Sequence, residues 1–287
     1  MANWRIGLST GCCWKAKISD CLPDIRDCDF DVIEICSHPG HLDYRDLPVV
    51  HQTAAMIRSL GFEAHSFHAP FADGIDITSL DEEARAAAGQ ELMRAADAAA
   101  ILQVKYFVVH PGPEQTAFPD AERPTRLRNA ASVLDQVYQH CRNSGVHLVL
   151  ENMLPHLFAG RAENLLWILE ALSGRDIGIC VDTGHGHLGC NLRDLVALSA
   201  PCLRLVHASD NHGNGDDHLP PGGGQIDWSA LLRQLRDIRY HGAFILEIAA
   251  LDDRKAALER ACRGREHLQQ LAEMLEPPEH LDRVSRT

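Results

Sequence analysis

No pair among the ten cysteines has C-x-x-C spacing, so neither a redox pair nor a zinc-ribbon knuckle can be read from them. No signal-peptide pattern stands ahead of "MANWRIGLST", and free or buried thiols in a reducing, cytoplasmic setting are expected rather than a disulfide framework. No apolar run approaches the ~18 residues that a membrane-spanning helix needs. Cations are scarce: 27 Lys and Arg stand against 40 Asp and Glu, for a net charge of −13. Such a chain has no general attraction for nucleic acid or anionic lipid, although a local basic patch could coexist with that total. No linker or shift in composition divides the 287 residues. They provide ample apolar material for one large core.

What is present alternates. Short apolar runs, mostly of Val, Ile, Leu and Phe, occupy 4–9, 31–36, 63–68, 105–110, 147–152, 177–182, 203–208 and 243–248. Near-continuous apolar runs suit strands buried on both faces of a parallel sheet. Helical stretches fall between them at 81–102, 123–145, 161–174 and 252–275. The first opens on acidic residues, and the second and third close on Gly145 and Gly174. Eight strand–helix units predict an α/β fold, a single (β/α)8 barrel over residues 1–275, followed by a polar tail at 276–287. The competitor is a doubly wound open sheet. It would usually carry G-x-G-x-x-G after its first strand, where this chain has "LSTGCCWKAK".

Chemistry gathers at the ends of the runs. The second carries Glu34, the third ends at His68 and the fourth at His110. The fifth ends in Glu151 and Asn152, and the sixth in Asp182 with His185 one turn on. The seventh ends at His207, with Asp210 and His212 just beyond, and the eighth carries Glu247. From His68 onward the intervals are 42, 41, 31, 25 and 40 residues, about one strand–helix unit each. In a barrel these ends converge on one face. A single histidine or glutamate there is ordinary hydrogen-bonded structure. Six to nine such groups in one small volume would resist desolvation unless cations neutralised them. Imidazole with carboxylate is a ligand set for Zn²⁺, Mn²⁺ or Fe²⁺. The stretch "GDDHLPPGGG" brings Asp216 and His218 back toward the site on a loop that Pro220 and Pro221 stiffen, and Gly222, Gly223 and Gly224 could hinge a lid.

Seven short motifs occur in order: "FHAPF", "VVHPG", "LVLEN", "VDTGH", "VHASDN", "DDHLPPGGGQIDW" and "ILEI". Together they resemble the xylose isomerase-like TIM barrel superfamily, which holds sugar phosphate isomerase/epimerase proteins and endonuclease IV-type abasic-site endonucleases. The resemblance spans nearly the whole chain. Its epimerase side implies one divalent metal on Glu151, Asp182, His207 and Glu247, with Glu151 and Glu247 as the acid/base pair and His185 on substrate oxygens. Its endonuclease side implies up to three zincs, with His68, His110, His185, Asp216 and His218 completing nine ligands. Mn²⁺ or Zn²⁺ is therefore expected, as one to three ions. Glu34, Phe71 and Asn152 are expected to bind substrate. Phe71 could wedge into a base stack but is read as lining a sugar pocket.

The favoured activity is a metal-dependent sugar isomerase or epimerase, or a related lyase. Two adjacent oxygens of a hydroxy-ketone would sit on the metal, which stabilises the enediolate that forms on proton removal. The expected partner is a small-molecule carbohydrate, with no membrane, nucleic acid disfavoured and a homo-oligomer open. The alternative is a hydrolase of abasic DNA that attacks a phosphodiester with metal-bound hydroxide. A non-enzymatic scaffold ranks last, because both acid/base glutamates are present.

Overall fold

A computed structural model of the protein describes residues 4–71, 74–114 and 118–275. All eight apolar runs form strands: β1 (Ile6–Ser9), β2 (Val32–Cys36), β3 (Glu63–His68), β4 (Tyr106–Val109), β5 (His147–Glu151), β6 (Gly178–Asp182), β7 (Leu203–Ala208) and β8 (Ala243–Leu246). They pair in chain order, every pair parallel, and β8 returns to β1 to close the barrel. The single (β/α)8 barrel is therefore the fold, and the open sheet is excluded.

Nine helices form the outer ring of the described residues: α1 (Ile18–Asp27), α2 (Leu47–Ser59), α3 (Glu82–Ile101), α4 (Arg123–Asn143), α5 (Ala162–Ala171), α6 (Thr183–Leu188), α7 (Leu192–Ser199), α8 (Trp228–Asp237) and α9 (Arg254–Met274). The four expected from the sequence are α3, α4, α5 and α9. Side-chain caps set several starts: the Asp81 carboxylate accepts from the Glu83 and Ala84 amides ahead of α3, and Asp253 accepts from Lys255 ahead of α9. Among the described residues no helix is long and apolar enough to cross a membrane. The ten cysteines are free thiols. The expected tail at 276–287 lies outside the described residues.

Strand pleating positions the site. Val32, Val108, Val149, Cys180, Leu205 and Ile245 belong to one buried cluster that plugs the barrel interior. Side chains along a strand alternate between faces, so the chain points inward again two residues later. Those positions are Glu34, His110, Glu151, Asp182, His207 and Glu247. The apolar layer closes the barrel from below, and the ionisable layer sits on top of it at the C-terminal ends of the strands.

Candidate active site

At the centre of that upper layer lies Glu151, at the end of β5 and 1% exposed. Its Oε2 is 3.3 Å from His68 Nε2 and 3.5 Å from His110 Nε2, and its Oε1 is 3.2 Å from His207 Nδ1. Across the barrel, Glu247 Oε1 lies 3.4 Å from the same His207 nitrogen. Ligand atoms of Glu151, Asp182, His207 and Glu247 all fall within 4.8 Å of one another, as do those of His68, Glu151 and His207. A further group, His185, Asp216 and His218, meets the same limit. All nine expected metal or substrate residues therefore come together.

The five imidazoles share one arrangement. His207 Nε2 lies 2.9 Å from Glu34 Oε2, and His110 Nδ1 lies 2.7 Å from Glu114 Oε1. The Nδ1 atoms of His68, His185 and His218 lie 2.9, 2.8 and 3.1 Å from the carbonyls of Ala69, Asn152 and Glu247. Each outer nitrogen has an acceptor, which assigns a proton there and turns the inner nitrogen toward the cluster, where a cation could take the place of its proton. Metal-binding histidines are held by this kind of outer hydrogen bond. Inside the ring, buried atoms lack partners: both Glu151 oxygens, Asp182 Oδ2, His207 Nδ1 and His110 Nε2. Buried polar atoms without partners are costly. The donor set and its orphaned atoms fit divalent cations.

Two expected substrate contacts are corrected. Glu34 is fully buried beneath the site, where it accepts from Ser66 Oγ at 2.7 Å and holds His207. It orients a candidate ligand and does not line the cavity. Asn152 accepts from the Asp182 amide at 2.8 Å and donates to the Asp182 carbonyl at 3.1 Å, so its side chain clamps β5 to β6. Phe71 does line the cavity, 47% exposed, with its ring 4.8 and 4.9 Å from those of His68 and His110. His212 is exposed and stands outside the cluster.

Asp210 is the residue whose role the sequence understated. It is fully buried. Its Oδ1 accepts from the Asn211 and Ile226 amides, and its Oδ2 from the Gly222 amide and the Trp228 indole, all within 3.1 Å. Gly224 packs so closely that a Cβ there would lie 2.4 Å from Asp210 Oδ1 and from the Asn211 carbonyl. The glycine run is therefore a pinned turn, where the sequence suggested a hinge. It carries His218 in the left-handed region, φ 45°, secured by its Glu247 contact and by its carbonyl, which accepts from the Ala249 amide.

Charges within the cluster follow from this packing. Burial opposes charge on every group, yet the carboxylates raise the imidazoles: His110 and His218 are lifted to about 9, chiefly by Glu114 and Asp216 respectively. Burial would raise Glu151, but His207 and His110 hold it well below the usual carboxylate range. Burial lifts Glu247 to about 7, with Glu151 and Glu34 adding to the effect and His207 opposing it. The histidine shifts favour the folded state fully below the unfolded value of 6.5, and that contribution disappears as pH rises through about 9. Glu247, raised in the fold, acts in the same direction from about 4.5 to about 7. EDTA-treated protein should therefore lose roughly 5 °C or more of melting temperature between pH 6.5 and 9. Metal-loaded protein, its inner nitrogens already unprotonated, should not. A flat or rising curve for the EDTA-treated protein would refute the assigned charges.

A parallel eight-stranded barrel has its active site at the C-terminal rim, and here that rim gathers a buried imidazole and carboxylate cluster able to hold a metal. The chain belongs to the xylose isomerase-like TIM barrel family, whose sequence model matches residues 22–273. It is 30% identical over 255 residues to the uncharacterized protein MJ1311 of Methanocaldococcus jannaschii, covering 85% of this chain and 84% of that one. It is 29% identical over 184 residues to a probable endonuclease 4 of Nitratidesulfovibrio vulgaris, covering 57% and 63%. Among solved structures, a D-tagatose 3-epimerase-like protein superposes with a TM-score of 0.81 at 25% identity, covering 94% and 97%.

Proposed function

We propose that the protein is a divalent-metal-dependent isomerase or epimerase of a sugar or keto-sugar that moves a proton next to a carbonyl. One observation carries this reading: the Glu151 and Glu247 carboxylates, from β5 and from the end of β8, approach the same His207 nitrogen at 3.2 and 3.4 Å, and both line a cavity of about 180 Å³. That volume suits a small molecule. Glu151, Asp182, His207 and Glu247 would hold a Mn²⁺ or Zn²⁺ ion, which when bound supplies positive charge to a developing oxyanion. Glu247, 14% exposed against 1% for Glu151, is the carboxylate that an entering substrate meets first. One glutamate takes the proton from carbon and the other returns it from the opposite side. His185 offers its inner nitrogen to a substrate oxygen. The epimerase-like name of the 25% identical structure supports this reading.

A second reading, phosphodiester hydrolysis on abasic DNA, is favoured by the extra group His185, Asp216 and His218 and by the relatives named probable endonuclease 4. Against it, no Lys or Arg is found among the described cavity-lining residues, and the net charge is −13. Phosphate backbones are bound largely through cationic side chains.

Deuterium uptake separates the two. In D₂O the metal-loaded protein should introduce deuterium beside the carbonyl of a keto-sugar, read by mass spectrometry or NMR. Glu247→Gln should slow this at least ~100-fold, because an amide cannot act as the base. Efficient cleavage of an abasic-site oligonucleotide, with no exchange on a keto-sugar panel, would reverse the order of the two readings.

A further inference from the structure

We propose that the compound this site takes carries its reacting hydroxy-carbonyl unit on one end and an apolar substituent on the other, as in a keto-sugar joined to an aliphatic or aromatic aglycone. The proposal rests on the proton-transfer reading above and adds the substrate class. A free sugar carries a hydroxyl on nearly every carbon, and each buried without a partner costs roughly 1–3 kcal/mol. A pocket made for one would spread donors and acceptors along its length. In this cavity they belong almost entirely to the ionisable cluster.

Apart from seven of the nine cluster residues, the described lining offers only two polar side chains, Ser9 and Glu114. Glu114 already accepts from His110, and Ser9 Oγ accepts from the Gly11 amide. Asn, Gln, Thr, Tyr, Lys and Arg are absent from the described lining, so a terminal phosphate would meet no cationic side chain there. Glu34 and Asn152, the polar side chains best placed by sequence to reach hydroxyls, are turned into the barrel wall as described above.

The walls are apolar on several sides at once. Cys12 comes from the segment after β1, Phe71 from that after β3, Met153, Leu154 and Leu157 from that after β5, and Ile248 from that after β8. The β5 segment is folded to present its leucines. The Leu157 amide donates to the Leu154 carbonyl at 2.9 Å, and the Gly160 amide to the Leu157 carbonyl at 3.2 Å. A Cβ on Gly160 would lie within bonding distance of the Leu154 carbonyl oxygen, so no other residue fits that fold-back. Asn164, buried, donates to the Phe158 carbonyl at 2.6 Å and fixes the far end of the segment. The half-exposed Phe71 ring, lining the same cavity, supplies further apolar area for a ligand to cover.

Hydroxamates test this directly, because they present two adjacent oxygens with a tail of choice. Calorimetric titration of the Mn²⁺- or Zn²⁺-loaded protein would compare acetohydroxamate, hexanohydroxamate, benzohydroxamate and gluconohydroxamate. The two apolar tails should bind at least ~10-fold more tightly than acetohydroxamate, and the polyol tail no more tightly than acetohydroxamate. Phe71→Gln and Leu154→Gln should each shrink the apolar preference. Phe71 is half-exposed, so its replacement leaves the core intact. Gluconohydroxamate binding as tightly as hexanohydroxamate overturns the proposal, as does an apolar preference untouched by both variants. If the tail preference holds while no keto-sugar exchanges deuterium, the proton-transfer chemistry falls and the apolar wall stands. If exchange proceeds on free keto-sugars with no tail preference, the wall falls and the chemistry stands. Failure of every hydroxamate to bind overturns both.

Discussion

Glu151→Gln is expected to lower the affinity for divalent metal at least ~100-fold and to reduce the ions bound per chain. Glu151 belongs to two of the ligand groups, and its two oxygens face different imidazoles, His207 on one side and His68 and His110 on the other. An amide of the same shape turns one of those acceptors into a donor. It leaves a ligand oxygen on only one side in any rotamer, because the amide nitrogen is a donor and does not ligate a cation. The cavity is unchanged in size, so the loss reports ligation and not packing. Elemental analysis after dialysis, with the parent protein beside it, reads the effect. Unchanged occupancy would mean that Glu151 is a structural carboxylate and that the metal lies elsewhere.

The second large effect is on stability. Asp210→Ala should cost about 4 kcal/mol or more, because three buried donors and the half-buried Gly222 amide lose their acceptor together and each unpaired buried donor costs roughly 1–3 kcal/mol. The turn that those donors pin, Gly222 to Trp228, also carries the returning segment with Asp216 and His218, since Asp210 and Leu219 exchange both backbone hydrogen bonds. The variant should therefore draw Asp216 and His218 away from His185 while the group around Glu151 keeps its ion. Denaturant melting combined with metal counting tests both parts. A melting midpoint within error of the parent would contradict the account of Asp210.

The strands were legible because an interior strand of a parallel barrel admits few polar residues, and the ionisable residue at each strand end stood out against that background. Alternation then aimed those residues inward. What alternation cannot tell is what arrives from other strands. Glu34 reads as a free carboxylate until β3 brings Ser66 and β7 brings His207 against it. Asn152 reads as substrate-facing until the Asp182 backbone takes both ends of its amide. The glycine run reads as a hinge because the side chain that pins it, Asp210, lies twelve residues ahead of Gly222. Helices α1, α2, α6, α7 and α8 did not stand out by composition. α1 contains Pro23, and α6 and α7 are short.

The outer partners of the five imidazoles divide unequally between side chain and backbone. Glu34 and Glu114 are side chains, and a point mutation can delete either. The carbonyls of Ala69, Asn152 and Glu247 are main chain, present whatever residue stands at those positions. Mutational drift can therefore erase the support of His207 or His110 in one step. For His68, His185 and His218 it must first disturb the barrel itself. Lineages descending from such a chain can change the surrounding pocket freely and still inherit three rings aimed at the same point.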